Sequence, residues 1–249
     1  MISSPLEQFE IVSIIPLPLG GYDFSITNSA IYLFITFGII TFFMSSILNK
    51  TMFVPGPWQA LLEDMYNFIM ELIEQNCGAK GQKYFPFFFV LFSFLLVCNL
   101  LGMVPYSFTV TSHIAITFTL SLAIWIGVTW IGLTTHGAHF FTLFVPSGAP
   151  AALLPILVVI ELISYGVRAI SLAVRLFANM MSGHTLLKIM AGFSFQLFAL
   201  GGILGLVGST IPFILVFLIT GLEIGIACLQ AYVFTILSIM YLNDALNLH

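Results

Sequence analysis

Long apolar runs separated by short polar breaks divide the chain into six helical segments. Residues 27–48, "TNSAIYLFITFGIITFFMSSIL", are apolar and long enough to cross about 30 Å of hydrocarbon. Asn49, Lys50 and the "PGP" at 55–57 end that segment. Over 57–77 the pattern changes. Apolar residues fall at 58, 61, 62, 65, 68, 69, 72 and 73, and Glu63, Asp64, Asn67, Glu71 and Glu74 fill the other face. This spacing predicts an amphipathic helix at the membrane surface. Residues 84–107 and 113–133 predict a membrane hairpin, spanning 84–133 in all, with a short polar turn between its arms. Residues 134–150 read as a loop, with Pro146, Gly148 and Pro150 as breakers.

Two longer apolar segments follow, over about 151–192 and 208–245, the pair occupying 151–245. As helices each is about 60 Å long, twice the hydrocarbon thickness. Pro155 and Pro212 are expected in their first turns, where proline is tolerated. With no proline inside to break them, they are expected to lie strongly inclined. Gly201, Gly202 and Gly205 suggest a turn near 203, so the two helices are expected to pack antiparallel. The fold class is therefore an all-α polytopic membrane protein, read as one membrane domain over 1–249.

Composition agrees with the pattern. The chain is 60% hydrophobic and 6% charged, with a mean hydropathy of +1.12. So few polar side chains cannot cover a soluble domain. A net charge of −4 argues against nucleic acid and against acidic lipid headgroups. The acidic 57–77 helix, with four acids and no bases, is accordingly expected to lie against protein. Cys77, Cys98 and Cys228 form no metal or disulfide pattern and read as small buried hydrophobes. The first 24 residues lack a basic side chain, unlike a signal peptide or an arginine-rich transit peptide.

Against this background the charges of the long helices stand out. Glu161, Arg168 and Arg175 recur at seven-residue steps, so each lags the last by only about 20° on a helix. Ser164, Ser171, Asn179 and Ser182 fall near the same line, while His184 points about 180° from Arg175. In the last segment Glu223, Gln230 and Tyr241 share a face, with Asp244 at its edge. A turn near 203 sets Glu161 level with Asp244, Arg175 level with Gln230, and His184 level with Glu223. Titratable groups on both sides of a fixed positive charge resemble two proton paths that stop short of meeting.

"SLAVRLFANMMSGH" together with "GLEIGIACLQAYVFTILSIMYLNDALNLH" resembles subunit a of the proton-translocating ATP synthase, and the likeness extends over essentially the whole chain. The opening "SPLEQFEI" is similar to the fungal mitochondrial form. The resemblance implies a non-catalytic, cofactor-free stator subunit of the mitochondrial inner membrane. Its partners would be protons, the lipid bilayer, the c-ring, and peripheral-stalk and other membrane-sector subunits. Arg175 would face the c-ring carboxylates; Asn179, His184, Glu223 and Gln230 would line or support the inlet half-channel. Glu161 and Asp244 would belong to the outlet, with Arg168, Ser171, Ser182 and Tyr241 in support. His184 and Glu223 stand in the mitochondrial order; bacterial relatives exchange the imidazole and the acid.

Other readings remain open at this level. Arg168 could be a structural partner of Glu161, seven residues away on the same face, or a snorkelling residue. His184 with Glu223 could bind a divalent metal, though two ligands are too few. His136 and His139 could suggest a metal or haem site, but sit in the expected loop without further ligands. A secondary transporter would show repeated halves with broken helices, and no internal repeat is visible. A respiratory-chain membrane subunit would need paired histidines on membrane helices or another cofactor anchor.

Overall fold

The computed structural model describes residues 6–16, 18–19, 22–23, 25–48, 52–104, 107–145 and 153–247. Six helices dominate them: α1 (Asn28–Leu48), α2 (Pro57–Cys77), α3 (Phe85–Gly102), α4 (Ile114–His136), α5 (Leu154–Ala199) and α6 (Gly202–Leu246). The expected helical segments are all present. By length and composition five stretches could cross a membrane, 28–48, 57–102, 114–144, 154–199 and 205–246. The second of these joins α2 to α3 through a 3-10 segment, Gly78–Tyr84.

Several boundaries differ from the sequence pattern. The amino-terminal segment, for which no strand is expected, holds β1 (Ser13–Ile15), β2 (Pro18–Leu19), β3 (Tyr22–Asp23) and β4 (Ile26–Thr27). They pair antiparallel as β1 with β4 and β2 with β3. Residues 134–136, expected in a loop, complete α4, and Gly137–Phe144 continue as 3-10 helix. The breakers Pro146, Gly148 and Pro150 lie outside the described residues, as do Asn49 and Lys50. Pro212 lies inside α6 rather than in its first turn, because α6 starts at Gly202. Proline lacks the N–H that would bond the Gly208 carbonyl. The neighbouring Ser209 carbonyl accepts the Ser194 hydroxyl at 3.1 Å, the kind of side-chain bond that accompanies proline in membrane helices.

The turn between the long helices is tighter than expected. Only Leu200 and Gly201 separate them, and Gly201 and Gly202 take φ of 72° and 73°. Two successive left-handed residues reverse the chain in minimal length, which a side chain at either position would oppose.

Contacts divide the chain into two compact units. The first comprises residues 1–40, 94–113 and 176–231; the second comprises 41–93, 114–175 and 232–249. In the first, Asn28 ties the start of α1 to the preceding segment. Its Nδ2 donates to the Glu10 carbonyl at 3.0 Å, and its Oδ1 accepts the Ser29 N–H at 2.9 Å. The end of α3 and the 107–113 connection pack against α5 and α6 there. Asn99 Nδ2 donates to the Ala227 carbonyl at 3.1 Å.

The second unit joins α4 to α5 by polar contacts along one line. Ser121 Oγ donates to the Ala169 carbonyl, and Trp125 Nε1 donates to the Tyr165 carbonyl at 3.1 Å. The Thr129 and Tyr165 hydroxyls meet at 2.7 Å. Phe140 packs edge-on against Tyr165 and Phe144. Elsewhere in this unit Cys77 Sγ donates to the Ile239 carbonyl at 3.4 Å. Cys77 and Cys98 are buried as expected, whereas Cys228 is exposed.

Along α5 the burial pattern has helical period. Tyr165, Ala169, Leu172, Ala173, Leu176 and Met180 are buried. Ser171, Val174, Arg175, Ala178 and Ser182 are exposed on the other side. Lipid tails are as apolar as leucine, so burial alone does not drive such helices together. Ala173 on α5, and Ala227 and Ala231 on α6, are each 0% exposed, and small residues of this kind favour close packing in membrane helices.

Candidate functional site

In the first unit α5 and α6 present two stacked polar contacts. Asn179 Nδ2 donates to Gln230 Oε1 at 2.8 Å. His184 Nδ1 stands 3.4 Å from Glu223 Oε1, a contact longer than a good hydrogen bond. Glu223 and Gln230 are each 3% exposed, and the seven residues between them correspond to about 10.5 Å of helix. Glu223 fits because residue 183 has no side chain. A Cβ there would lie 2.5 Å from Glu223 Oε1. The other ring nitrogen, His184 Nε2, lies 3.1 Å from Thr109 Oγ1. The Phe9 ring stands 6.5 Å from the imidazole. An imidazole beside a buried carboxyl group can exchange a proton with it.

The second unit carries the arginines. Arg168 Nη1 donates to Asp244 Oδ2 at 2.7 Å. Its guanidinium also stands 5.7 Å from the Tyr165 ring and 5.4 Å from the Tyr241 ring. A planar guanidinium suits this combination of carboxylate and aromatic partners. Arg175 is exposed, and no ion pair or hydrogen bond from its side chain occurs among the described residues. Glu161 is half-buried and Ser171 exposed.

These geometries sort the expected pairs. His184 meets Glu223, as the hairpin register predicts. The expected level pair of Glu161 and Asp244 is corrected: Asp244 is bonded to Arg168. Arg168, read as a possible partner of Glu161, bonds Asp244 instead. Gln230, expected level with Arg175, has its amide oxygen held by Asn179. The register drifts because a constant sum of residue numbers requires two straight, parallel helices. From Ser194–Ser209 to Asn179–Gln230, α5 advances 15 residues and α6 advances 21.

One further expectation, the loop placement of His136, changed locally. His136 ends α4, and its Nε2 lies 3.1 Å from the Leu246 carbonyl. Among the described residues no group of three or more His, Cys, Asp or Glu could hold a metal. Ser182 Oγ donates to the Asn179 carbonyl at 3.4 Å. Sequence reasoning passed over Thr109, Asn99, Thr111 and Gly183. The trace they leave is slight: three hydroxyl residues in "TVTS" between apolar helices, and a glycine beside the histidine.

Comparison with known proteins supplies the family. The model of the ATP synthase A chain matches residues 30–243. ATP synthase subunit a of Marchantia polymorpha is 51% identical over 253 residues, covering 100% of both chains. That of Chondrus crispus is 50% identical, covering 100% of this chain and 98% of the relative. That of Paramagnetospirillum magneticum is 47% identical, with 100% of both covered. With full-length identity at this level and its apolar helices, the chain belongs to the ATP synthase subunit a family, a membrane component of ATP synthesis and proton transport.

Proposed function

We propose that this chain is the stator half of a rotary proton path, with two offset half-channels separated by Arg175. The observation that carries the reading is Arg175 itself. It is the exposed cation on a face of α5 otherwise made of Ser171, Val174, Ala178 and Ser182, while the opposite face is buried. A charge on a membrane-spanning face is costly unless something outside the chain meets it. Carboxylates on a ring of c subunits would do so. At about 4 Å and an effective dielectric near 20 the attraction is about 4 kcal/mol, enough to favour release of a proton as a carboxyl group approaches. Arginine suits the position because it keeps its charge, whereas a buried lysine can lose its proton.

On this reading Asn179, His184, Glu223 and Gln230 serve the inlet and Glu161 the outlet. Asp244 acts there through its pair with Arg168, and Ser171, Ser182 and Tyr241 provide polar support. On the same reading the chain is a non-catalytic subunit, and nucleotide chemistry belongs to other subunits. Acidic α2 would face protein, the peripheral stalk among its partners. The order of His184 and Glu223, with the opening "SPLEQFEI", supports a mitochondrial inner-membrane form of fungal type.

The test is Arg175→Ala in membranes carrying the whole complex. ATP synthesis driven by an imposed proton gradient should be lost, with passive proton leak unchanged or increased. Normal coupled synthesis would make Arg175 scaffolding and refute the mechanism.

A further inference from the structure

The 107–113 connection between α3 and α4 is a deeply buried polar segment of the first unit. Thr109, Thr111 and Ser112 are 4%, 3% and 3% exposed. So much polar surface is buried only when hydrogen bonds hold it. Thr111 Oγ1 donates to Asn99 Oδ1 at 3.1 Å, and Asn99 Nδ2 donates to the Ala227 carbonyl at 3.1 Å. Ala227 lies one turn beyond Glu223 on α6. Ser112 Oγ donates back to the Thr109 carbonyl at 2.6 Å. Gly102 closes on the other side: a Cβ there would meet Thr109 Cγ2 at 2.7 Å and Oγ1 at 3.0 Å. These contacts leave Thr109 little freedom, and its hydroxyl ends 3.1 Å from His184 Nε2.

We infer that Thr109 is a positioning residue for His184, holding the imidazole against Glu223 through the bond to Nε2 while Nδ1 faces the carboxyl group. The inference rests on the inlet role proposed above for His184. The chemistry favours a hydroxyl. It donates to Nε2 when the ring carries its proton on Nδ1, and it accepts from Nε2–H in the imidazolium or the other tautomer. One residue can therefore hold the ring in every protonation state through which a relay passes. The group on the second nitrogen sets a histidine's tautomer and orientation. Valine has the shape of threonine and neither capacity.

The experiment compares Thr109→Val, Thr109→Ser, His184→Gln and the Val/Gln double variant in membranes carrying the whole complex. Proton-driven ATP synthesis is measured per assembled complex. The 15N imidazole resonances of histidine-labelled complex are recorded in parallel, with the His184 signals assigned by their loss in His184→Gln. Thr109→Val should lower synthesis about 3- to 10-fold, the net scale of one ordinary hydrogen bond. It should also move the Nε2 resonance. Thr109→Ser should restore both, and Thr109→Val should add nothing to His184→Gln.

Unchanged synthesis and an unchanged Nε2 resonance in Thr109→Val would overturn the inference. So would a serine variant no better than valine, or an equal loss from Thr109→Val in the His184→Gln background, which would mark a merely structural loop. Thr109→Ala stands in if the valine variant fails to assemble. Wild-type synthesis in His184→Gln would instead refute the inlet role of His184. The Nε2 resonance alone then decides positioning: moved in Thr109→Val, it stands; unmoved, it falls.

Discussion

Replacing Gly183 by alanine perturbs the His184–Glu223 contact without an obvious cost to the fold. The new Cβ would lie 2.5 Å from Glu223 Oε1, 2.9 Å from Cδ and 3.2 Å from Cγ, where ordinary contact begins at 3.4 Å. All three atoms belong to the far part of a flexible side chain, so the carboxyl group yields before the backbone does. Moving from 2.5 to 3.4 Å is a retreat of about 0.9 Å from α5. His184 sits on α5 beside Gly183, and its Nδ1 already stands 3.4 Å from Oε1. The retreat therefore stretches a contact with no slack. Overpacking costs about 1–3 kcal/mol, and alanine in place of glycine returns about 1 kcal/mol of helix propensity. The complex should assemble at close to wild-type levels. A misplacement of about 1 Å at a proton-transfer pair is worth about 10- to 100-fold in rate. Proton-driven ATP synthesis and the amount of assembled complex should be measured on the same membranes. Synthesis should fall far more than assembly. Wild-type synthesis, or a loss of assembly matching the loss of activity, would refute this reasoning.

Three further outcomes are expected. Gly132→Ala would place a Cβ against the Phe140 ring, 2.7 Å from Cδ2; the ring is 2% exposed with little room to move. Here assembly should fall with activity, by about 1–3 kcal/mol of stability read from thermal unfolding. Arg168→Ala removes the partner of Asp244 and the cation between two tyrosines. With the side chains 25% and 39% exposed, the cost should be about 1–2 kcal/mol; Arg168→Lys should be intermediate, and Asp244→Asn should cost less when Arg168 is already absent. His113 stacks on Phe108 at 5.1 Å, and burial lowers its pKa from 6.5. Below pH 6.5 the unfolded chain thus binds a proton that the folded chain resists, so its contribution is full above 6.5 and lost as pH falls toward the lowered value. Thermal unfolding at pH 7.5 and 5.5 should show an acid-side loss that His113→Asn reduces.

The helices could be read from the chain because hydrophobic length and period are local properties. The 57–77 bounds of α2 and the uninterrupted α5 follow from where polar residues, glycine and proline fall, whereas α6 runs through Pro212. Strands β1 to β4 were not legible, since two- and three-residue strands are too short to show a period. The acidic and basic groups of the long helices were equally visible, because a charge in an apolar chain needs a reason wherever it occurs.

Their pairing was a different matter. A sequence determines which face of a helix each side chain occupies, so Arg168 and Arg175 could be placed on one stripe, and His184 away from it. Which residue on another helix meets that face depends on where the turn closes and how the two axes diverge. Two left-handed glycines moved the turn forward, and α6 advances further than α5 between shared contacts; Asp244 went to Arg168 and Gln230 to Asn179. Thr109 shows the same division most clearly. Its hydroxyl is an ordinary feature of a short polar stretch until the chain folds the 107–113 connection inward and sets it on His184 Nε2. Helix formation depends on neighbours a turn away, whereas that contact joins residues 75 positions apart, and only the packed structure could decide it.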